Sequence, residues 1–182
     1  MKNEKTLNDD KVKMISLTGL MIALIFISGS IIKIPTLNGF MQIGDCMVFL
    51  SAILLGKKYS FVASGIGMAL VDGLGGYLAW APFTFIIKGL MAYVAALVIY
   101  KAKEKNFKVY LIGFIVGGIV DLLGYFIANA IMGGLIVKSS KGLVGSVIYA
   151  TAHIPGDLMQ VVVGIIIAVV LAPLVYKLRE NI

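Results

Sequence analysis

Residues 44–88, GDCMVFLSAILLGKKYSFVASGIGMALVDGLGGYLAWAPFTFIIK, decide how the chain folds. The stretch is mostly apolar, yet Asp45, Asp72 and Lys88 fall inside or at the edges of runs that read as membrane spans. An ionisable side chain in hydrocarbon costs about 2.5–3.5 kcal/mol on insertion scales, so it normally faces a partner or a wet cavity. The stretch predicts two turns, one at Gly56-Lys57-Lys58-Tyr59-Ser60 and one from Gly75 to Pro82. The second sets Tyr77, Trp80 and Pro82 at a membrane–water interface, as the lip of a binding pocket.

Composition supports the same class. The chain has 182 residues, of which 60% are hydrophobic and 14% charged, and its mean hydropathy is +1.00. A soluble domain this apolar would expose large adhesive patches. At about 20 residues per span the length allows roughly six spans. The expectation is an all-α membrane protein, a compact bundle of six transmembrane helices forming one substrate-binding domain over 1–182. The net charge of +7 reads as topology rather than nucleic-acid binding, because the lysines sit in short clusters between apolar runs. Cys46 is the one cysteine, which excludes an internal disulfide. No removable signal peptide is read at the amino terminus.

The predicted spans are 14–32, 44–55, 60–78, 82–100, 109–132 and 143–176. Residues 1–13 form a polar cytoplasmic tail, frayed or folded as a short interfacial helix. The second span is short for a bilayer, and the last is overlong and interrupted by Pro155-Gly156 and by Pro173. Residues 33–43, with Pro35 and Asn38-Gly39, read as a loop that meets water. Basic clusters at 2–13, 57–58, 101–108 and 177–179 fall on one side. Lys33, Lys138 and Lys141 fall on the other. That asymmetry puts both termini in the cytoplasm and the loops at 33–43, 75–82 and 133–142 outside.

Polar residues at membrane depth mark the candidate site. Asp121, Tyr125 and Asn129 recur every fourth residue along one helix face. Tyr149, His153, Asp157 and Gln160 lie near one face of the last span. With Asn38 and Gln42 on the first outer loop, Tyr77 and Trp80 on the second and Lys88 below it, these residues converge on an outer cavity. Such a cavity suits a small polar, aromatic ligand: rings stack on it, while hydroxyls, amides and charges orient it. Plainer roles exist for each residue. Asp72 and Lys88 can neutralise each other, His153 can be a satisfied core histidine, Asp157 can cap amides freed at the kink, and Tyr77 and Trp80 can be interface anchors. Ser16, Gly19 and Ala23 share one face of the first span. Gly19-x-x-x-Ala23 is a small-xxx-small pair suited to close helix docking, within the chain or on another subunit.

The chain has no P-loop, no His/Cys metal cluster and no G-x-S-x-G motif. Nothing supplies ATP hydrolysis, a metal centre or a nucleophile, so the reading is of a binding protein without cofactor rather than an enzyme. A different reading makes it a self-sufficient proton-coupled transporter, with Asp121, His153 and Asp157 as a proton relay.

Over nearly its whole length the chain resembles the substrate-binding S components of energy-coupling factor (ECF) transporters, the vitamin importers of many bacteria. The resemblance rests on Gly44-Asp45 followed by VFLSAILLG, on Gly65-Ile66-Gly67, on Ala69-Leu70-Val71-Asp72, on Gly76-Tyr77, and on the run from Trp80 to Gly89. Within that family it is similar to the branch carrying riboflavin, hydroxymethylpyrimidine and pyridoxine-like compounds. The resemblance implies six helices holding a water-soluble vitamin near the outer face of the plasma membrane. A separate transmembrane T subunit and two ATPases would energise import. It also implies that Gly19 and Ala23 dock on the T subunit; glycine stands where that motif more often begins with alanine. Pyridoxine or hydroxymethylpyrimidine is the favoured substrate, with riboflavin and pantothenate as alternatives.

Overall fold

The computed structural model describes residues 4–31, 33–36, 39–135 and 142–181. Among them are five helices and one β-hairpin: α1 (Glu4–Ile31), β1 (Lys33–Thr36), β2 (Gly39–Gln42), α2 (Asp45–Leu74), α3 (Ala81–Lys101), α4 (Phe107–Leu135) and α5 (Gly142–Glu180). All five helices contain segments long and apolar enough to cross a membrane. In hydrocarbon each backbone N–H and C=O needs an internal partner, and a helix supplies one within its own segment.

The expected six helices are here five, because α2 takes in both the second and third predicted spans. It is not a straight rod. Gly56 has φ 73° and ψ −174°, outside the helical region. The hydroxyls of Ser51 and Ser64 are 3.0 Å apart, whereas a straight helix would separate them by about 20 Å. The chain therefore doubles back at Gly56 into two antiparallel arms. The arm from Asp45 to Gly56 is about 16 Å long, half the roughly 30 Å of a hydrocarbon core. Asp45 thus ends at membrane depth, close to the second arm at Met68, whose sulfur lies 3.9 Å from Gln42 Nε2.

Three further expectations change. Residues 33–42 are not a plain loop: β1 and β2 pair antiparallel, with Lys33 opposite Gln42 and Thr36 opposite Gly39. Pairing satisfies main-chain groups that run alongside the bundle. The amino-terminal segment is helical from Glu4 and runs without a break into the first span. Finally, Pro155 and Pro173 lie inside α5 without dividing it. Each removes one donor, and the remaining ladder holds where no water competes for it. At 39 residues, α5 is about 58 Å long, so it tilts or reaches beyond the membrane.

Packing divides the bundle into two halves. α2 packs against α1, α3 and α5, and α4 packs between α3 and α5. The apolar core fills one half. Phe49, Ile53, Met91, Ile99, Phe114 and Ala168 are buried there, and the rings of Phe49 and Phe114 lie 4.8 Å apart. On α3 these residues follow Lys88; on α4 they precede Asp121; on α5 they follow Gln160. The same half ends at Gly56, where Arg179 donates to the Ile53 carbonyl and lies over the Tyr100 ring. Tyr125 and Asn129 on α4 and Tyr149, His153 and Asp157 on α5 lie on the other side of Lys88, Asp121 and Gln160.

Candidate functional site

The boundary between the halves is a buried ion cluster. Lys88 Nζ lies 2.7 Å from Asp45 Oδ1 and 2.9 Å from Oδ2. It also lies 3.1 Å from Asp121 Oδ2 and 3.0 Å from Oδ1. Lys88 and Asp45 are fully buried and Asp121 is 1% exposed. Removing such charges from water costs several kcal/mol each, so they persist only with close geometry and further hydrogen bonds. Asp45 has both. Its Oδ1 also accepts from Gln42 Nε2 at 3.4 Å, and its Oδ2 accepts from Gln160 Nε2 at 3.0 Å. The main-chain N–H of Gln42 donates back to Gln160 Oε1 at 3.1 Å, and the N–H of Gly44 donates to Gln42 Oε1. The end of β2, the start of α2 and the middle of α5 are thereby tied to one point.

Lys88 is thus paired with Asp45 and Asp121, while Asp72 accepts from the Thr84 hydroxyl. Thr84 Oγ1 is in turn 3.1 Å from the Tyr125 hydroxyl, and Lys88 Nζ lies 5.0 Å from the Tyr125 ring centroid. Neighbouring turns of α3 and α4 make this chain of contacts: Thr84 and Lys88 are four apart, as are Asp121 and Tyr125.

Of the residues singled out from sequence, the structure joins Gln42, Lys88, Asp121, Tyr125 and Gln160 into this cluster. Asn129, 3% exposed, is one turn beyond Tyr125 on α4. Tyr77 and Trp80 are half-buried in the turn from α2 to α3, where the Tyr77 N–H bonds the Asp72 carbonyl at 2.8 Å. The Trp80 ring lies 6.4 Å from that of Phe83. Asn38 lies outside the described residues.

Tyr149, His153 and Asp157 form a second group on consecutive turns of α5. The Tyr149 and His153 ring centroids are 4.5 Å apart. Tyr149 itself packs on Gly133: a Cβ there would lie 2.9 Å from its ring. His153 Nδ1 is 2.8 Å from the Tyr149 carbonyl, and its Nε2 is buried without a hydrogen-bond partner among the described residues. Asp157 is half-buried and interacts electrostatically with Lys88, His153 and Asp45. Among the described residues no group of three or more His, Cys, Asp and Glu is arranged to hold a metal ion.

Sequence reasoning did not assign Asp45 or Thr84 to the site. Asp45 carried a signal, a carboxylate opening an apolar run; its pairing across 43 positions did not. On α1, Gly19 and Ala23 face outward. Among the described residues nothing lies within 4 Å of a Cβ built on Gly19, and Ser16, Leu20 and Ile27 share the exposed side. Met21, Ile25 and Gly29 face inward.

Comparison with known proteins adds family and fold. The family model described as ECF-type riboflavin transporter, S component, matches residues 9–177. An uncharacterized protein in the gap 3′ region of Pyrococcus woesei is 35% identical over 136 residues, 75% of this chain and 82% of that protein. The thiamine precursor transporter HmpT of Lactococcus lactis subsp. cremoris is 26% identical over 176 residues, 95% of this chain and 93% of HmpT. Among solved structures, an S component of a bacterial ECF transporter superposes with a TM-score of 0.64 at 21% identity, covering 94% of this chain and 98% of that one. The S component for biotin from an ECF-type ABC transporter gives 0.56 at 24% identity, covering 91% and 94%.

Proposed function

The chain belongs to the ECF-type riboflavin transporter S components, vitamin-capture subunits rather than enzymes, and from that premise we propose that it captures a thiamine-precursor-like pyrimidine for import. S components pair with a T subunit and ATPases, and on this reading Gly19 and Ala23 supply the docking surface. The chain then lies in the cytoplasmic membrane with both termini inside. The lysine-rich Gly56 end faces the cytoplasm, and the polar half faces out.

The division of the bundle carries the proposal. The buried ion cluster floors the polar half, and Tyr77, Trp80, Tyr125, Asn129, Tyr149, His153 and Asp157 all lie beyond it. Aromatic rings beside a few fixed polar groups suit a flat heterocycle. Gln42 and Asp121 act from behind this lining, holding the hairpin and the floor in place. Full-length similarity to HmpT favours a pyrimidine over riboflavin or pantothenate.

The test is reconstitution. Liposomes containing this chain alone should bind labelled hydroxymethylpyrimidine and not accumulate it, with or without a pH gradient. Addition of a T subunit and ATPases should give ATP-dependent uptake. Accumulation by the chain alone, driven by protons, would replace this reading with the relay through Asp121, His153 and Asp157.

A further inference from the structure

We propose that His153 and Asp157 read a hydrogen-bond-donor edge on the substrate, so that the ligand is an amino-substituted nitrogen heterocycle and its oxo counterpart is rejected. This rests on the capture reading and narrows it to a substrate class. The first argument is the histidine's tautomer. The Tyr149 carbonyl can only accept, so His153 Nδ1, 2.8 Å away, must carry the hydrogen. In the neutral ring Nε2 is then a bare acceptor. That atom is buried and has no partner among the described residues. Buried polar atoms are nearly always bonded, so a donor is expected from outside the described residues, and a bound ligand can supply it.

The second argument is what surrounds it. Asp157 stands one turn along α5, and an ionised carboxylate also only accepts. The fixed cation whose charge reaches it is Lys88. Lys88 is already held by Asp45 and Asp121. An incoming carboxylate or carbonyl edge would therefore meet acceptors, whereas an amino group beside a protonatable ring nitrogen would meet two partners. The third is rigidity. Tyr149 lies against the imidazole and also packs on Gly133, while its carbonyl holds His153 Nδ1, so the acceptor is fixed before the ligand arrives.

The experiment compares the affinities of 4-amino-5-hydroxymethyl-2-methylpyrimidine and its 4-oxo counterpart for the purified wild-type chain, with riboflavin and pantothenate as references. The amino compound should bind at least ~10-fold more tightly than the other three, as sites built around hydrogen bonds discriminate. In Asp157→Asn, whose amide can donate as well as accept, the amino/oxo ratio should fall at least several-fold. A wild-type ratio near one, or tighter binding of the oxo compound, overturns the inference and leaves pyrimidine capture standing, whereas tighter binding of riboflavin or pantothenate overturns both the inference and the pyrimidine assignment. A large ratio unaltered in folded Asp157→Asn removes Asp157 from the readout and overturns it as stated. Folded wild-type protein that binds no vitamin or precursor overturns the capture reading itself.

Discussion

Lys88 and Asp45, 43 positions apart, meet at 2.7 Å with neither side chain exposed. The pair closes the lower end of the polar half and joins the folded-back α2 to α3. Asp121 completes the cluster from α4. Removing the ammonium leaves two carboxylates facing each other in oil. Lys88→Met should therefore destabilise the protein by about 3–5 kcal/mol, seen as a large drop in thermal midpoint in detergent. Adding Asp45→Asn and Asp121→Asn to it should recover much of the loss. A Lys88→Met protein as stable as wild type would mean that the cluster is not a structural floor.

Gly56 lets α2 reverse. Its φ of 73° with ψ −174° lies in a region almost confined to glycine, where other residues pay about 1–3 kcal/mol. Gly56→Ala should lower stability by that amount. A Cβ there would also approach the Tyr100 ring at 3.3 Å. An unchanged midpoint would show that the reversal does not need this backbone conformation.

Tyr149 orients His153, and Gly133 makes room for Tyr149. Gly133→Ala should move the ring and weaken ligand binding at least several-fold. Far-ultraviolet circular dichroism should remain helical. Equal affinity in the folded variant would show that Tyr149 does not hold the site.

The outward face of α1 gives the opposite pattern. Gly19 is exposed, and a Cβ built there has nothing within 4 Å among the described residues, so in Gly19→Leu stability and ligand affinity should stay at wild-type values. Uptake by the assembled transporter should fall at least ~10-fold if this face docks closely on the T subunit. Normal uptake would place the docking surface elsewhere.

Much of this was legible in the amino acids because membrane burial makes each charge conspicuous. Asp121, Tyr125 and Asn129 declare a face by spacing alone, and Gly56-Lys57-Lys58 announces the reversal that the Ser51–Ser64 contact displays. Partner choice was not legible. Asp72 is the acid nearer Lys88 in sequence, yet Thr84 engages Asp72 while the fold carries Asp45 and Asp121 to the lysine. The β-hairpin was hidden for a related reason. Pro35 and Asn38-Gly39 signal irregular chain, whereas the pairing of 33–36 with 39–42 satisfies main-chain groups within the hairpin itself. Pro155 misled in the other direction: it ends helices in water more readily than where the surroundings favour the ladder.

The most direct test of capture is equilibrium binding of hydroxymethylpyrimidine to the purified, monodisperse chain in detergent, followed by calorimetry. The account predicts saturable binding at one site per chain, without nucleotide and without any other subunit. Absence of saturable binding by folded protein, with thiamine precursors, pyridoxine, riboflavin and pantothenate all tried, would contradict it.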